Sequence, residues 1–122
     1  MADSPFAALV GGELDTVSFV RDYVELRIDY SIVRFLTDPS GVIDGRSWQL
    51  TDIDGADSLR RYVGRTVVET EFDEHNLLRL FFDDDAEISA SLRDDDRHGP
   101  EALHLMPADP TGRVHSSNMF IW

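Results

Sequence analysis

Arg65 to Leu92 runs RTVVETEFDEHNLLRLFFDDDAEISASL, and the alternation inside this stretch decides the fold. Leu78, Leu80 and Phe82 fall on one phase, with Leu77, Arg79 and Phe81 on the other. Ala86, Ile88, Ala90 and Leu92 repeat the pattern against Glu87, Ser89 and Ser91. A period of two marks strands that bury one face. Val68, Thr70 and Phe72 share a face just before, so segments 65–72, 77–82 and 86–92 are expected to form a three-stranded meander. The runs 73–76 and 83–85 supply its turns, because Asp tolerates the left-handed backbone of tight turns. Leu77 and Phe81 occupy the polar phase, which implies that this outer face is partly covered.

Upstream, a second meander is expected. Val17 and Phe19 share one face of a strand over 14–20. Val24, Leu26, Ile28 and Tyr30 alternate with Tyr23, Glu25, Arg27 and Asp29, and Val33 and Phe35 mark a third strand. The run from Val24 to Asp29 parallels the run from Leu78 to Asp83, a weak internal repeat. Asp44-Gly45 is a hairpin signal between 42–43 and 46–50. One helix is expected at 55–63, capped by Asp52 or Asp54, with Ala56, Leu59 and Val63 as its apolar stripe and Gly64 as its stop. The apolar end, Asn118 to Trp122, predicts a final strand docked into a sheet. The expected fold is therefore α+β and mainly β: two antiparallel three-stranded meanders, seven to eight strands in all, with one short helix between them. Length gives a single domain over 1–122, with 1–12 as a mobile lead-in.

Composition narrows the partners. The chain has 17 Asp, 7 Glu, 11 Arg and no Lys, for a net charge of −13. Such a charge repels polyphosphate and anionic lipid, so no nucleic acid and no membrane is expected as partner. Cys is absent, which removes disulfides and thiolate metal sites. No signal peptide or apolar span of about 20 residues is present, and a cytoplasmic location is expected.

Candidate chemistry is sparse. The triplet Asp83–Asp85 belongs in a turn, and the triplet Asp94–Asp96 lies at the other end of the same strand, roughly 23 Å away at about 3.3 Å per residue. The turn with Glu74 and His75 emerges beside Asp94, Asp96 and His98, a set with the donor types for a divalent cation or for general acid–base work. His104 lies in an apolar stretch and is expected to be a core histidine with one satisfied nitrogen. No nucleophile elbow, phosphate loop or dinucleotide fingerprint is found, which leans against an enzyme and implies no organic cofactor. Tyr23, Trp48 and Phe81 fall on polar phases of their strands, and exposed aromatics flanked by acids suit a protein-binding face.

The run from Phe19 to Ile28 resembles a pattern in a family of small uncharacterised bacterial β-rich proteins (a domain of unknown function). Ser91-Leu92-Arg93, Gly99-Pro100-Glu101-Ala102 and the terminal tryptophan share in the resemblance. It implies a β-rich fold and no established activity; small acidic proteins of this build include immunity partners of toxins. The resulting expectation is a non-enzymatic acidic binding module, immunity-like or adaptor-like, for a basic protein partner. The alternative is a small-molecule or divalent-metal site at the loop end carrying Glu74, His75, Asp94, Asp96 and His98. A homo-oligomer through the Leu77 and Phe81 face is a third expectation.

Overall fold

The computed structural model describes residues 4–122, with ten strands among them in two antiparallel sheets. The first sheet holds β1 (Leu14–Val20), β2 (Tyr23–Ile28), β3 (Ser31–Phe35), β9 (Leu103–Met106) and β10 (Phe120–Ile121), in that spatial order. The second holds β5 (Arg46–Gln49), β4 (Ser40–Ile43), β8 (Ala86–Ser91), β7 (Leu77–Phe82) and β6 (Val67–Asp73), again in spatial order. The helix α1 (Gly55–Arg60) stands between β5 and β6. Both expected meanders exist, but each sheet has five strands rather than three. A meander leaves the ladder groups of its last strand unpaired, and here a hairpin from the other half of the chain pairs with them. The β4–β5 hairpin follows the first meander yet joins β8 of the second sheet, while β9 and β10 follow the second meander and join β3 of the first. Inward rows of both sheets form one buried cluster, including Leu26, Val33 and Leu105 from one and Leu78, Leu80 and Ile88 from the other.

The two sheets are spliced where β1 and β6 begin. Gly11 N–H donates to the Val67 carbonyl and Gly64 N–H to the Leu14 carbonyl, both at 2.8 Å. Leu14 N–H donates to Arg65 and Val67 N–H to Gly12, both at 2.9 Å. Within each pair the bonds map onto one another by a shift of 53 residues, and the bridge between Glu13 and Thr66 maps onto itself. Gly11 and Gly64 share a left-handed backbone, φ +90° and +93°, which glycine adopts without penalty. A matching bulge follows in each strand, between Leu14 and Thr16 and between Val67 and Glu69. The weak repeat is thus a repeat of backbone: β1, β2 and β3 correspond to β6, β7 and β8, and β4–β5 to β9–β10.

The bulges also correct the expected phases. They turn Leu14 and Val67 inward and leave Val68 about half exposed, off the face of Thr70 and Phe72, while Val17 and Phe19 keep their expected common face. The β2–β3 and β7–β8 turns place two residues each at positive φ, Asp29 with Tyr30 and Asp84 with Asp85. The first acidic triplet is therefore a hairpin turn, as its composition implies. Residues 1–3 of the expected mobile lead-in lie outside the described residues. From Pro5 to Leu9 the lead-in forms a 3-10 turn that buries Phe6 and Leu9 in the core. The helix is shorter than expected, and its buried stripe continues from Gly55 and Leu59 to Tyr62, leaving Ala56 and Val63 exposed. Asp54 occupies the N-cap without a side-chain bond, while the Asp52 carboxylate accepts from Gln49 N–H at 2.9 Å.

Tyr62 explains that phase. Its hydroxyl accepts from Trp48 Nε1–H at 2.8 Å. Its single proton faces the carbonyls of Glu87 at 2.6 Å and Val42 at 3.0 Å. One side chain therefore ties the end of the helix segment to β4, β5 and β8. Burial pushes its pKa up to about 12, against the opposing effect of the Trp48 hydrogen bond. Gly41 makes the approach possible, because a Cβ there would lie 2.2 Å from the Glu87 carbonyl oxygen and 2.8 Å from the Tyr62 hydroxyl.

Unfolding measurements test this hub. Gly41→Ala should cost more than about 2 kcal/mol in urea unfolding. Gly99→Ala, with no heavy atom within 4 Å of the new Cβ, should be near neutral. Tyr62→Phe should cost about 1–3 kcal/mol by leaving the Trp48 N–H unpartnered. Because the folded-state pKa of Tyr62 is raised, its contribution is fully present below about pH 10 and lost as pH rises through about 12. Wild-type stability should fall over that window, and Tyr62→Phe should flatten the fall.

Candidate functional site

A cleft of about 590 Å³ opens at the β1–β2 end of the first sheet. That volume lies within the usual range for small-ligand sites. Its apolar wall includes Phe19, Val20, Leu36 and Leu50, with Val24 and Phe35 at the floor. Phe19 belongs to the inward row, opposite Val24, which in turn faces Phe35. Val24 and Phe35 are buried, yet Phe19 is 48% exposed, so the apolar row runs out of the core into the cleft. The polar side carries Asp22, Asp38 and Glu101 as carboxylates, Arg21 as a cation, and His98. His98 Nε2 lies 3.3 Å from Asp38 Oδ2. Thr37 is buried and spends its hydroxyl proton on the Ser91 carbonyl at 2.8 Å, so it offers no nucleophile.

Behind Glu101 stands a polar row on the outer face of the first sheet. Register sets Glu25 opposite Arg34 and Arg34 opposite His104. Arg34 Nε donates to Glu25 Oε1 at 2.8 Å, and its guanidinium carbon lies 4.7 Å from the centre of the Tyr23 ring. Arg34 Nη1 is 3.1 Å from His104 Nδ1, and His104 Nε2 is 3.2 Å from Glu101 Oε1. A guanidinium has no acceptor, so Nδ1 must accept and Nε2 must carry the hydrogen that Glu101 receives. His104 thus has both nitrogens engaged rather than the one expected. Only the pairing of β3 with β9, 70 residues apart in the case of Arg34 and His104, reveals this.

The sequence-predicted site residues scatter. Tyr23 lines the cleft, half-buried beside Arg34. Trp48 is buried at 4% exposure and belongs to the core through Tyr62. Phe81 lies on the second sheet, half-buried, with Glu69 and Glu87 directly across from it. The three do not line one site. His75 and Asp94 do border a common groove of about 540 Å³, as the meander geometry implies, but Arg93 and Arg97 share it. Asp94 faces Arg97 at 3.7 Å, Asp95 faces Arg93 at 3.4 Å, and Asp96 accepts from Ser91 Oγ at 2.5 Å. Glu74 pairs with its neighbour His75 at 3.4 Å, and His98 turns away to Asp38. Among the described residues no group of three or more His, Asp or Glu converges to hold a metal ion.

The loop after β9 is a separate construction. Asp109 Oδ1 accepts from the Thr111 hydroxyl, the Arg113 N–H and the Thr111 N–H, and Oδ2 faces His115 Nε2 at 2.8 Å. The Thr111 hydroxyl first, then the Arg113 amide and His115, hold the Asp109 carboxyl well below the ordinary carboxylate range. Both carboxylate oxygens serve the loop itself, so Asp109 reads as architecture.

No protein-family model, curated protein or solved structure matches this chain. No described helix is long and apolar enough to cross a membrane. Since the carboxylates at this end are already engaged by arginine, by serine or by His75 itself, calorimetric titration with magnesium, calcium, manganese or zinc should give no saturable heat at that end of the sheet. Saturable binding lost in His75→Ala would contradict this.

Proposed function

We propose that this protein is a non-enzymatic binding module for a basic protein partner, engaged at the cleft beside β1. The observation that carries the reading is the lining itself. A half-exposed Phe19 continues the core's apolar row to the surface, Val20 adds exposed apolar lining beside it, and three carboxylates against one guanidinium ring the polar side. An exposed aromatic with an acidic rim matches a partner segment that carries apolar and cationic side chains together. The overall charge of −13 adds long-range attraction for such a partner. The immunity-like or adaptor-like role, in the cytoplasm, is the form of the proposal that the resemblance to small bacterial β-rich proteins favours.

A synthetic peptide of arginine and leucine tests it by calorimetry or fluorescence anisotropy. It should bind with an affinity that falls as salt rises, and a glutamate–leucine counterpart should not bind. Asp38→Asn should weaken the complex about threefold, the scale of a partly exposed ion pair. Phe19→Ser should weaken it further without altering the salt slope. Absence of binding, or binding indifferent to salt, would sink the reading.

A further inference from the structure

The cleft has a counterpart in the other half of the molecule, and the counterpart is closed. Under the backbone repeat, Phe19 corresponds to Phe72, the same position of the strand counted from the matching bulge. Leu50 corresponds to Trp122, each being the first residue after the exchanged hairpin. Both donate their N–H back across that hairpin, Leu50 to Pro39 at 3.1 Å and Trp122 to Leu103 at 2.9 Å. In the second half the Trp122 ring centre lies 4.9 Å from that of Phe72, and Phe6 closes the cluster at 4.9 Å from Phe72 and 5.2 Å from Trp122. In the first half a leucine stands where the tryptophan would be, and the cleft remains. The opening is therefore a local change on a backbone that is closed elsewhere in the same chain.

Glu101 is the carboxylate on that opening with the most defined orientation. His104, itself buried, donates Nε2–H to one of its oxygens and is held in that tautomer by Arg34. Arg34 is fixed in turn by Glu25 and by the Tyr23 ring. This arrangement leaves the second oxygen of Glu101 as an acceptor at the cleft, where only a donor or cation complements it. Phe19 and Leu50 offer an apolar wall for the stem of a long side chain.

We infer that the cleft is a socket for one arginine side chain of the partner, with its stem against Phe19 and Leu50 and its guanidinium on Glu101, and that His104 and Arg34 act as positioning residues. The inference rests on the protein-binding reading above and names the group that is recognised. Nα-acetyl-arginine amide is the probe, followed by amide chemical shifts in NMR, with the citrulline analogue as its uncharged isostere. The arginine probe should shift Phe19, Leu50 and Glu101 saturably, and the citrulline probe should not. Glu101→Gln should weaken binding about tenfold, the scale of a hydrogen bond to a charged group. Leu50→Trp should abolish it while preserving the dispersed spectrum, because the other half already accommodates that ring.

Long-range proton–nitrogen correlation should show His104 protonated on Nε2. His104→Gln, which keeps a donor toward Glu101, should retain more affinity than His104→Leu. Equal response to citrulline, undiminished binding in Glu101→Gln, or an Nδ1–H tautomer would overturn the assignment. If the arginine–leucine peptide binds in a salt-dependent way but Glu101→Gln leaves it unchanged, the socket is wrong and the binding module stands. If the arginine probe saturates the cleft while the peptide fails to bind, the socket stands and the protein partner falls.

Discussion

Four main-chain hydrogen bonds between Gly11–Leu14 and Gly64–Val67 hold the architecture in place. They join the starts of β1 and β6, so the two sheets leave a common seam. Backbone pairing of this kind is indifferent to side chains, and the same pattern can serve both halves of the chain. Each half then sends its last hairpin across to the other sheet, which gives β3 and β8 their second neighbours. The exchange makes either sheet incomplete without the opposite half. A single core, rather than two small ones, is the consequence.

On this repeated backbone the side chains specialise. The second half fills its end with Phe6, Phe72 and Trp122, and the first leaves the corresponding space open beside Phe19 and Leu50. The polar networks differ as well. Tyr62 ties α1 to the second sheet through Trp48 and two carbonyls, whereas its counterpart in the first half is Leu9, which can only pack. The Arg34–His104–Glu101 row appears on the first sheet, and the corresponding row of the second has Ser89 opposite Ser40 with a long 3.4 Å contact. Symmetry of the chain trace and asymmetry of the surface together single out one end of one sheet.

The candidate site was only partly legible before the tertiary structure. Tyr23 sits on the polar phase of a well-marked strand, and that phase is the outer face where Arg34 lies. Trp48 was misplaced because β5 is four residues long and its pattern gives too little alternation to settle which side is inward. The grouping of His75 with Asp94 followed correctly from meander geometry, but loop proximity says nothing about the arginines that enter the same groove. His98 looked like a member of that group by sequence distance, and its loop carries it to Asp38, 60 residues away. Glu101 carries only the ordinary loop signal of Gly99-Pro100-Glu101, and Leu50 carries none. A leucine after a hairpin becomes informative only when a tryptophan is seen in the corresponding place.

Alternation and turn chemistry determined by themselves the strands of both meanders, the acidic hairpin turns and the single short helix. These depend on contacts between near neighbours, where a period of two or an Asp at positive φ leaves a direct mark. Tertiary structure alone decided that each sheet has five strands, that the hairpins change sheets, that Trp48 is core and that the open cleft lies beside β1. Those outcomes rest on pairings between segments tens of residues apart. Which unpaired edge a hairpin satisfies is settled by the whole set of available edges, and no stretch of the chain contains that set.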